Sequence, residues 1–277
     1  MTRLSEIGEL GLLAELERRK LITAVEHDAA QIAAAPSGEG LVATQDALVE
    51  DVHFRLDWID WRALGFRAAA VNLSDLAASG ADPEALVLTL AVPADTELDD
   101  LLALYEGLNE PGVPIVGGDT SRADAVTLSV TALGRSERVP GRGGARPGDF
   151  LVVTGPLGAM GAAFRAGRLA RLPLRLAEGR ELAKEAHALL DVSDGLAVDA
   201  GHIASRSNVK CVIELERVPL ADGAELQDLE FGEDYELLAA VADPGPFTVI
   251  GRCDEGEGVE IRHRGERVTL AGWEHFT

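Results

Sequence analysis

A chain of 277 residues is long enough for one large domain or two of ordinary size, and its apolar content is ample for a core. A formal net charge of −22 argues against a nucleic-acid backbone as partner, because like charges repel. The first residues lack the apolar run of a secretory leader, and no later segment is long and apolar enough to span a bilayer, so a cytoplasmic protein with no membrane partner is expected.

Leucines three and four apart predict a helix over 5–19. Leu41-Val-Ala-Thr-Gln-Asp46 reads as a strand ending on an acid, and 61–79 as an alanine-rich helix stopped by Gly80-Ala-Asp-Pro83. Ala85–Val92 is an apolar strand, 96–110 a helix, Val113–Gly117 a short strand and Ala125–Leu133 an alternating one. Pro140-Gly-Arg-Gly-Gly-Ala-Arg-Pro-Gly148 is the best domain boundary, giving lobes over 1–139 and 148–277. Beyond it come a strand (150–154), a glycine-rich turn, helices over 158–167 and about 176–188, and Asp191-Val-Ser-Asp-Gly opening another helix; the tail after 209 is mostly strands. The pattern is α/β (α+β) with two lobes. Cys211 and Cys253 are far apart in sequence and outside any Cys-x-x-Cys, so both are expected as reduced thiols.

Six aspartates sit in separate short motifs: Asp28, Asp46, Asp75, Asp119, Asp191 and Asp194. Carboxylates that a fold gathers from distant segments suit a hard cation such as Mg²⁺ holding a polyphosphate. In Asn72-Leu-Ser-Asp75 the outer two residues share a helix face among Ala, Val and Leu, where an acid needs donors, a cation or a metal. Gly117-Gly-Asp119 follows a short strand, where backbone can approach a phosphate, although many β-turns look the same. Asp191-Val-Ser-Asp194 reads equally as an ordinary helix cap or as a phosphate-metal station. Gly155-Pro-Leu-Gly158-Ala-Met-Gly161 is neither a dinucleotide fingerprint nor a P-loop.

Together, and in this order, these motifs resemble the thiamine-monophosphate kinase family, of the superfamily that includes aminoimidazole-ribonucleotide synthetase, selenophosphate synthetase and a hydrogenase-maturation protein. The resemblance runs from Gly8 to Phe276 and is most specific in Ala70–Pro83, Val116–Ser121, Asp191–Leu196 and Gly232–Leu237. It implies transfer of the ATP γ-phosphoryl group to thiamine monophosphate by a cytoplasmic homodimer built through N-terminal strands. It implies that Asp28, Thr44, Asp46, Asp75, Asp119, Asp191 and Asp194 hold several Mg²⁺ ions. Tyr105, Gly118, Asp119, Arg142 and Ser193 would meet ATP; His53, Glu233 and Trp273 would meet thiamine monophosphate. Asp75, Asp119, Arg142 and Asp191 would carry the catalysis. The acceptor is an ionised phosphate, so positioning and charge cancellation suffice without a general base.

The chain departs from the family pattern at several places. His27 replaces a carboxylate beside Asp28, and imidazole is a poor Mg²⁺ ligand. Gln45 and Ala47 replace two threonines, an expected loss of hydroxyls near a metal, and Asp51 replaces a glycine. A longer Arg-Pro stretch is reduced to Arg171-Leu-Pro-Leu-Arg175, the segment before Gly232 is short, and Phe231 stands for a glycine. The alternatives are another ATP-dependent enzyme of the superfamily, or a homologue that binds nucleotide or thiamine phosphates without turnover.

Overall fold

The computed structural model describes residues 30–34 and 39–272; the expected helix over 5–19, together with His27, Asp28 and Trp273, lies outside them. The first half contains β1 (Ala30–Ala34), β2 (Gly40–Val49), α1 (Trp61–Ala78), β3 (Asp82–Val92), α2 (Leu98–Asn109), β4 (Ile115–Arg122) and β5 (Thr127–Ser136). Their sheet has the order β1-β2-β5-β3-β4, antiparallel except for β3 and β4, which run parallel across the α2 crossover. Asp60 caps α1 by accepting the Ala63 N–H at 2.7 Å, and Gly80, at φ +60°, turns the chain out of it. Small residues let α1 be buried on nearly every side. Leu64, Ala68, Leu73 and Leu76 pack on Leu86, Leu88, Leu128 and Val130 of the sheet.

The second half contains β6 (Phe150–Val153), α3 (Ala159–Arg165), α4 (Leu176–Glu185), β7 (Ala188–Asp191), α5 (Leu196–Ser207), β8 (Lys210–Glu214), β9 (Leu237–Val241), β10 (Thr248–Asp254), β11 (Gly258–His263) and β12 (Glu266–Val268). The sheet order is β12-β11-β8-β10-β6-β9-β7. Alternation sends Leu151, Val153, Leu190, Leu238 and Ala240 into a core with α5. Val152, Leu189, Leu237 and Ala239 go to the other face, with Leu182 and Ala183 of α4 and Ala77 and Ala78 of α1. The end of α1 is therefore part of the second core.

Two expectations need correction. The helix predicted over 176–188 ends at Glu185, and Ala188–Asp191 is a strand. Its residues are all buried because both faces of the sheet are covered there, so no alternation marks it. The Gly117-Gly-Asp119 segment is not a turn beyond a short strand; it lies inside β4, an exposed edge strand running on to Arg122. Cys211 and Cys253, far apart in sequence, are buried without a disulfide and are direct cross-strand partners on β8 and β10. Hydrogen bonding with Cys253, then burial, push the Cys211 thiol up, so it stays protonated.

Candidate active site at the junction of the two halves

Helix α1 presents neighbouring side chains to both halves of the molecule. Toward β2, the Asn72 side chain accepts the Asp46 N–H at 3.0 Å and donates to Ala68 O at 3.0 Å, which pins strand to helix. The Thr44 hydroxyl donates to the Asp75 carboxylate. Strand alternation turns Thr44 and Asp46 to the α1 side, in register with buried Ala132 and Val130 of β5. Gln45 and Ala47 point to the other, exposed face, where Gln45 donates to Ser129 Oγ at 2.7 Å. Both substitutions therefore face away from Thr44, Asp46 and Asp75.

Toward the second half, the Ser74 hydroxyl donates to Asp191 Oδ2 at 2.5 Å. Asp191 is buried at the end of β7. The loop after it is organised by Asp199, a buried residue in the first turn of α5 that accepts the Ser193 N–H at 3.1 Å and the Asp194 N–H at 3.0 Å. Asp194, Asp199 and His202 bring ligand atoms within 4.8 Å of one another. Burial, then Arg142 and Arg206, push His202 down to about 4, so its imidazole is neutral at pH 7. Arg142 therefore stands near this loop. Asp199 and His202 were missed in the sequence; an Asp in the turn after Asp-Val-Ser-Asp-Gly is the signal that would have found the first.

The loop Gly232-Glu-Asp-Tyr-Glu236 is zipped onto that same segment. Glu233 N donates to Ser193 O at 2.8 Å, Tyr235 N to Val192 O at 2.9 Å, and Val192 N to Glu236 O at 2.8 Å. Gly232 has φ +77°, and a Cβ there would lie 2.2 Å from Ser193 O, so only glycine permits the approach. Glu233 and Tyr235 both hold left-handed backbone, at φ +55° and +53°. Each costs on the order of 1–3 kcal/mol, a strain typical of functional loops. Burial pushes the Tyr235 phenol up, and the Glu233, Asp46 and Asp191 carboxylates act in the same direction. The phenol thus marks where acids from both halves converge. The fields of Asp46, Asp191 and Glu233 meet there, and Asp75 adjoins through Thr44 and α1.

The remaining residues are less centrally placed. His53 Nδ1 accepts the Val49 N–H at 3.1 Å, so the neutral ring carries its proton on Nε2. Asp51, two residues earlier, holds φ +62°, which accounts for the family glycine at this position; Asp is among the few other residues that tolerate it. Gly118 lies in β4 opposite Leu88, and a Cβ there would fall 1.9 Å from Leu88 O. Asp119, opposite Thr89, is exposed three strands from β2. Tyr105 is half-buried on α2 against the first core. Phe231 packs on Phe164, their ring centroids 4.7 Å apart.

Asp234 was not expected to matter. It is buried, accepts the Gly158 N–H at 2.7 Å at the start of α3, and is pushed up to about 6 by burial against an ordinary 3.8. Because its folded-state value is raised, its contribution is full below about 3.8 and is lost as pH rises through about 6. At about 1.4 kcal/mol per unit this is on the order of 3 kcal/mol. Asp234→Asn should flatten the fall in unfolding free energy between pH 4 and 7, measured by denaturant titration; an unchanged slope would show that the carboxyl is solvated.

Hard oxygen donors thus gather between two α/β halves. The AIR synthase related protein N-terminal domain matches residues 26–136, and its C-terminal domain residues 146–261. Thiamine-monophosphate kinase from Aquifex aeolicus (strain VF5) is 33% identical, over 99% of this chain and 100% of its own. The enzyme from Escherichia coli (strain K12) is 34% identical over 87% and 88%. The solved structure of AaThiL complexed with AMPPCP and TMP superposes with a TM-score of 0.88 at 32% identity, covering 99% of each chain. The chain thus has the AIR synthase-like fold. Within it, the chain belongs to the thiamine-monophosphate kinase family.

Proposed function

We propose that this protein transfers the γ-phosphoryl group of ATP to thiamine monophosphate, giving thiamine diphosphate and ADP. The observation that carries the reading is the junction at α1. Thr44 and Asp75 meet in the first half, Ser74 binds Asp191 in the second, and Glu233 is fixed to the same loop. Donor and acceptor are both anions, and the acceptor phosphate is already ionised, so the protein's task is to position and neutralise them.

The donor set fits Mg²⁺. Thr44, Asp46, Asp75 and Asp191 offer oxygen atoms in a buried to half-buried setting, where the Asp75 and Asp191 carboxylates already accept hydroxyls. They would hold several ions together with Asp119, Asp194 and Asp28, Asp194 being the oxygen donor beside a less suitable imidazole. Bound Mg²⁺ supplies charge neutralisation between the phosphates. Ser193 and Gly118 present backbone or hydroxyl donors to ATP, Tyr105 a ring edge, and Arg142 a permanent cation. The proton on His53 Nε2 suits an acceptor phosphate oxygen. Glu233 and Trp273 suit the cationic thiazolium and the aminopyrimidine.

The exposed edge strand β4 and its exposed Val116 suit a homodimer interface. The chain divides into lobes over 1–139 and 148–277, each with its own sheet, in a cytoplasmic enzyme. The test is incubation with ATP, Mg²⁺ and thiamine monophosphate, followed by quantitation of thiamine diphosphate and ADP. Binding of both substrates without product would make the protein a non-catalytic homologue, and failure to bind thiamine monophosphate would overturn the reading.

A further inference from the structure

Arg67 lies on α1, seven residues before Ser74, and only 2% of it is exposed. Its Nη2 is 2.8 Å from Glu233 Oε2, an ion pair by distance. The contact is bent away from a hydrogen-bond line, and Nε and Nη1 find no hydrogen-bond acceptor among the described residues. Each buried donor left this way costs about 1–3 kcal/mol. A methionine would fill the same volume without that cost, so packing alone does not account for a guanidinium here.

The surroundings indicate what the charge does. The Tyr235 phenol lies in the combined field of Glu233, Asp46 and Asp191, with Arg67 as the opposing cation. Glu233 would otherwise be repelled by the acids that gather the phosphates. Its main chain is already held, by φ +55° and by its N–H on Ser193 O. The side chain alone remains to be fixed, and Arg67 reaches it from the opposite half of the molecule. Because its nitrogens are inaccessible, Arg67 acts through Glu233 and does not touch a ligand directly.

We propose that Arg67 is a positioning residue for substrate recognition: its buried guanidinium fixes the Glu233 carboxylate between the two halves, in the place where it meets the organic, cationic part of thiamine monophosphate. This rests on the reading of Glu233 as a substrate contact. It predicts that loss of the charge harms recognition of thiamine monophosphate while leaving ATP binding intact.

The experiment compares Arg67→Met, Arg67→Lys, Glu233→Gln and the Arg67→Met/Glu233→Gln double variant, each measured for kcat, for KM of both substrates and for thermal unfolding. Arg67→Met should raise KM for thiamine monophosphate about 10-fold or more, with KM for ATP within about twofold. Arg67→Lys should recover most of the loss. Glu233→Gln should show a similar rise, and the double variant should be no worse than Glu233→Gln alone, because both changes remove one interaction. An unchanged KM in Arg67→Met, or a multiplied loss in the double variant, would overturn the proposal. If Arg67→Met fails to fold, Arg67→Gln replaces it and the same comparison with Arg67→Lys decides. Should Glu233→Gln leave KM unchanged, the substrate reading of Glu233 falls and the proposal with it. A rise in Glu233→Gln with none in Arg67→Met sinks the role of Arg67 alone.

Discussion

Asp75→Asn is expected to fold normally and to lose about 10²–10³-fold in kcat, the range seen when one preorganised electrostatic group is removed from an active site. The argument starts from its position. Asp75 is half-buried on α1, takes the Thr44 hydroxyl, and adjoins Ser74, which holds Asp191 across the junction. The amide has the shape of the carboxylate and still offers Thr44 an acceptor. What it removes is the negative charge that, in the proposed mechanism, attracts cations to the two phosphates. Stability should change little or rise slightly, because a neutral side chain relieves repulsion among neighbouring acids. The measurements are kcat at saturating substrates, activity against Mg²⁺ concentration, and unfolding without ligands. Activity within about threefold of wild type, given that expected range, would remove Asp75 from the catalytic group.

Part of the candidate site carries local signatures in the sequence, whereas the Glu233 loop reads by itself as an ordinary acidic turn and enters only through the family resemblance. Asn72 and Asp75 share a helix face, and Asp191 and Asp194 precede a helix. The sequence could not show the joining, which depends on contacts between distant segments. Ser74 meets Asp191 across 117 positions, and the Glu233 loop lies along Val192 and Ser193 through backbone groups that any residue type supplies. Arg67 carries no local signature in the alanine-rich helix, and burial distinguishes it. The strand β7 was hidden by being apolar on both faces, and Gly117-Gly-Asp119 looked like a turn because turns favour those residues. The family pattern marks Gln45 and Ala47 as lost threonines beside Asp46, and only the period of two in a strand shows that they face away from it.

Arg175→Ala is expected to destabilise the protein by about 3–5 kcal/mol, since removing the half-buried partner of the buried Glu236 leaves that carboxylate's charge uncompensated. Glu236 is 3% exposed, and Arg175 grips it with two hydrogen bonds, from Nε at 2.7 Å and Nη2 at 2.6 Å. The Thr154 hydroxyl adds a third at 2.6 Å, and Thr154 Oγ1 in turn accepts the Leu237 N–H at 2.8 Å. The Glu236 hydrogen bond is the main influence that raises Arg175, so the guanidinium stays charged throughout the accessible pH range. The shortened stretch 171–175 thus still spans both halves. Arg171 pairs with Glu110 at 2.8 Å and lies 3.6 Å from the centre of the Phe66 ring, while Arg175 holds the second half through Glu236. At roughly 2–4 °C per kcal/mol for a chain of this size, Tm should fall by about 6–20 °C. Arg175→Lys, with charge but no planar fork, should fall between wild type and alanine. Adding Glu236→Gln to Arg175→Ala should recover part of the loss, because a neutral amide is cheaper to leave buried. Glu236 directly follows the left-handed Glu233–Tyr235 turn, so KM for thiamine monophosphate should rise in parallel with the fall in Tm. A fall of less than about 2 °C, below the cost of any uncompensated buried charge, would mean that water replaces the arginine and that the pair is not structural.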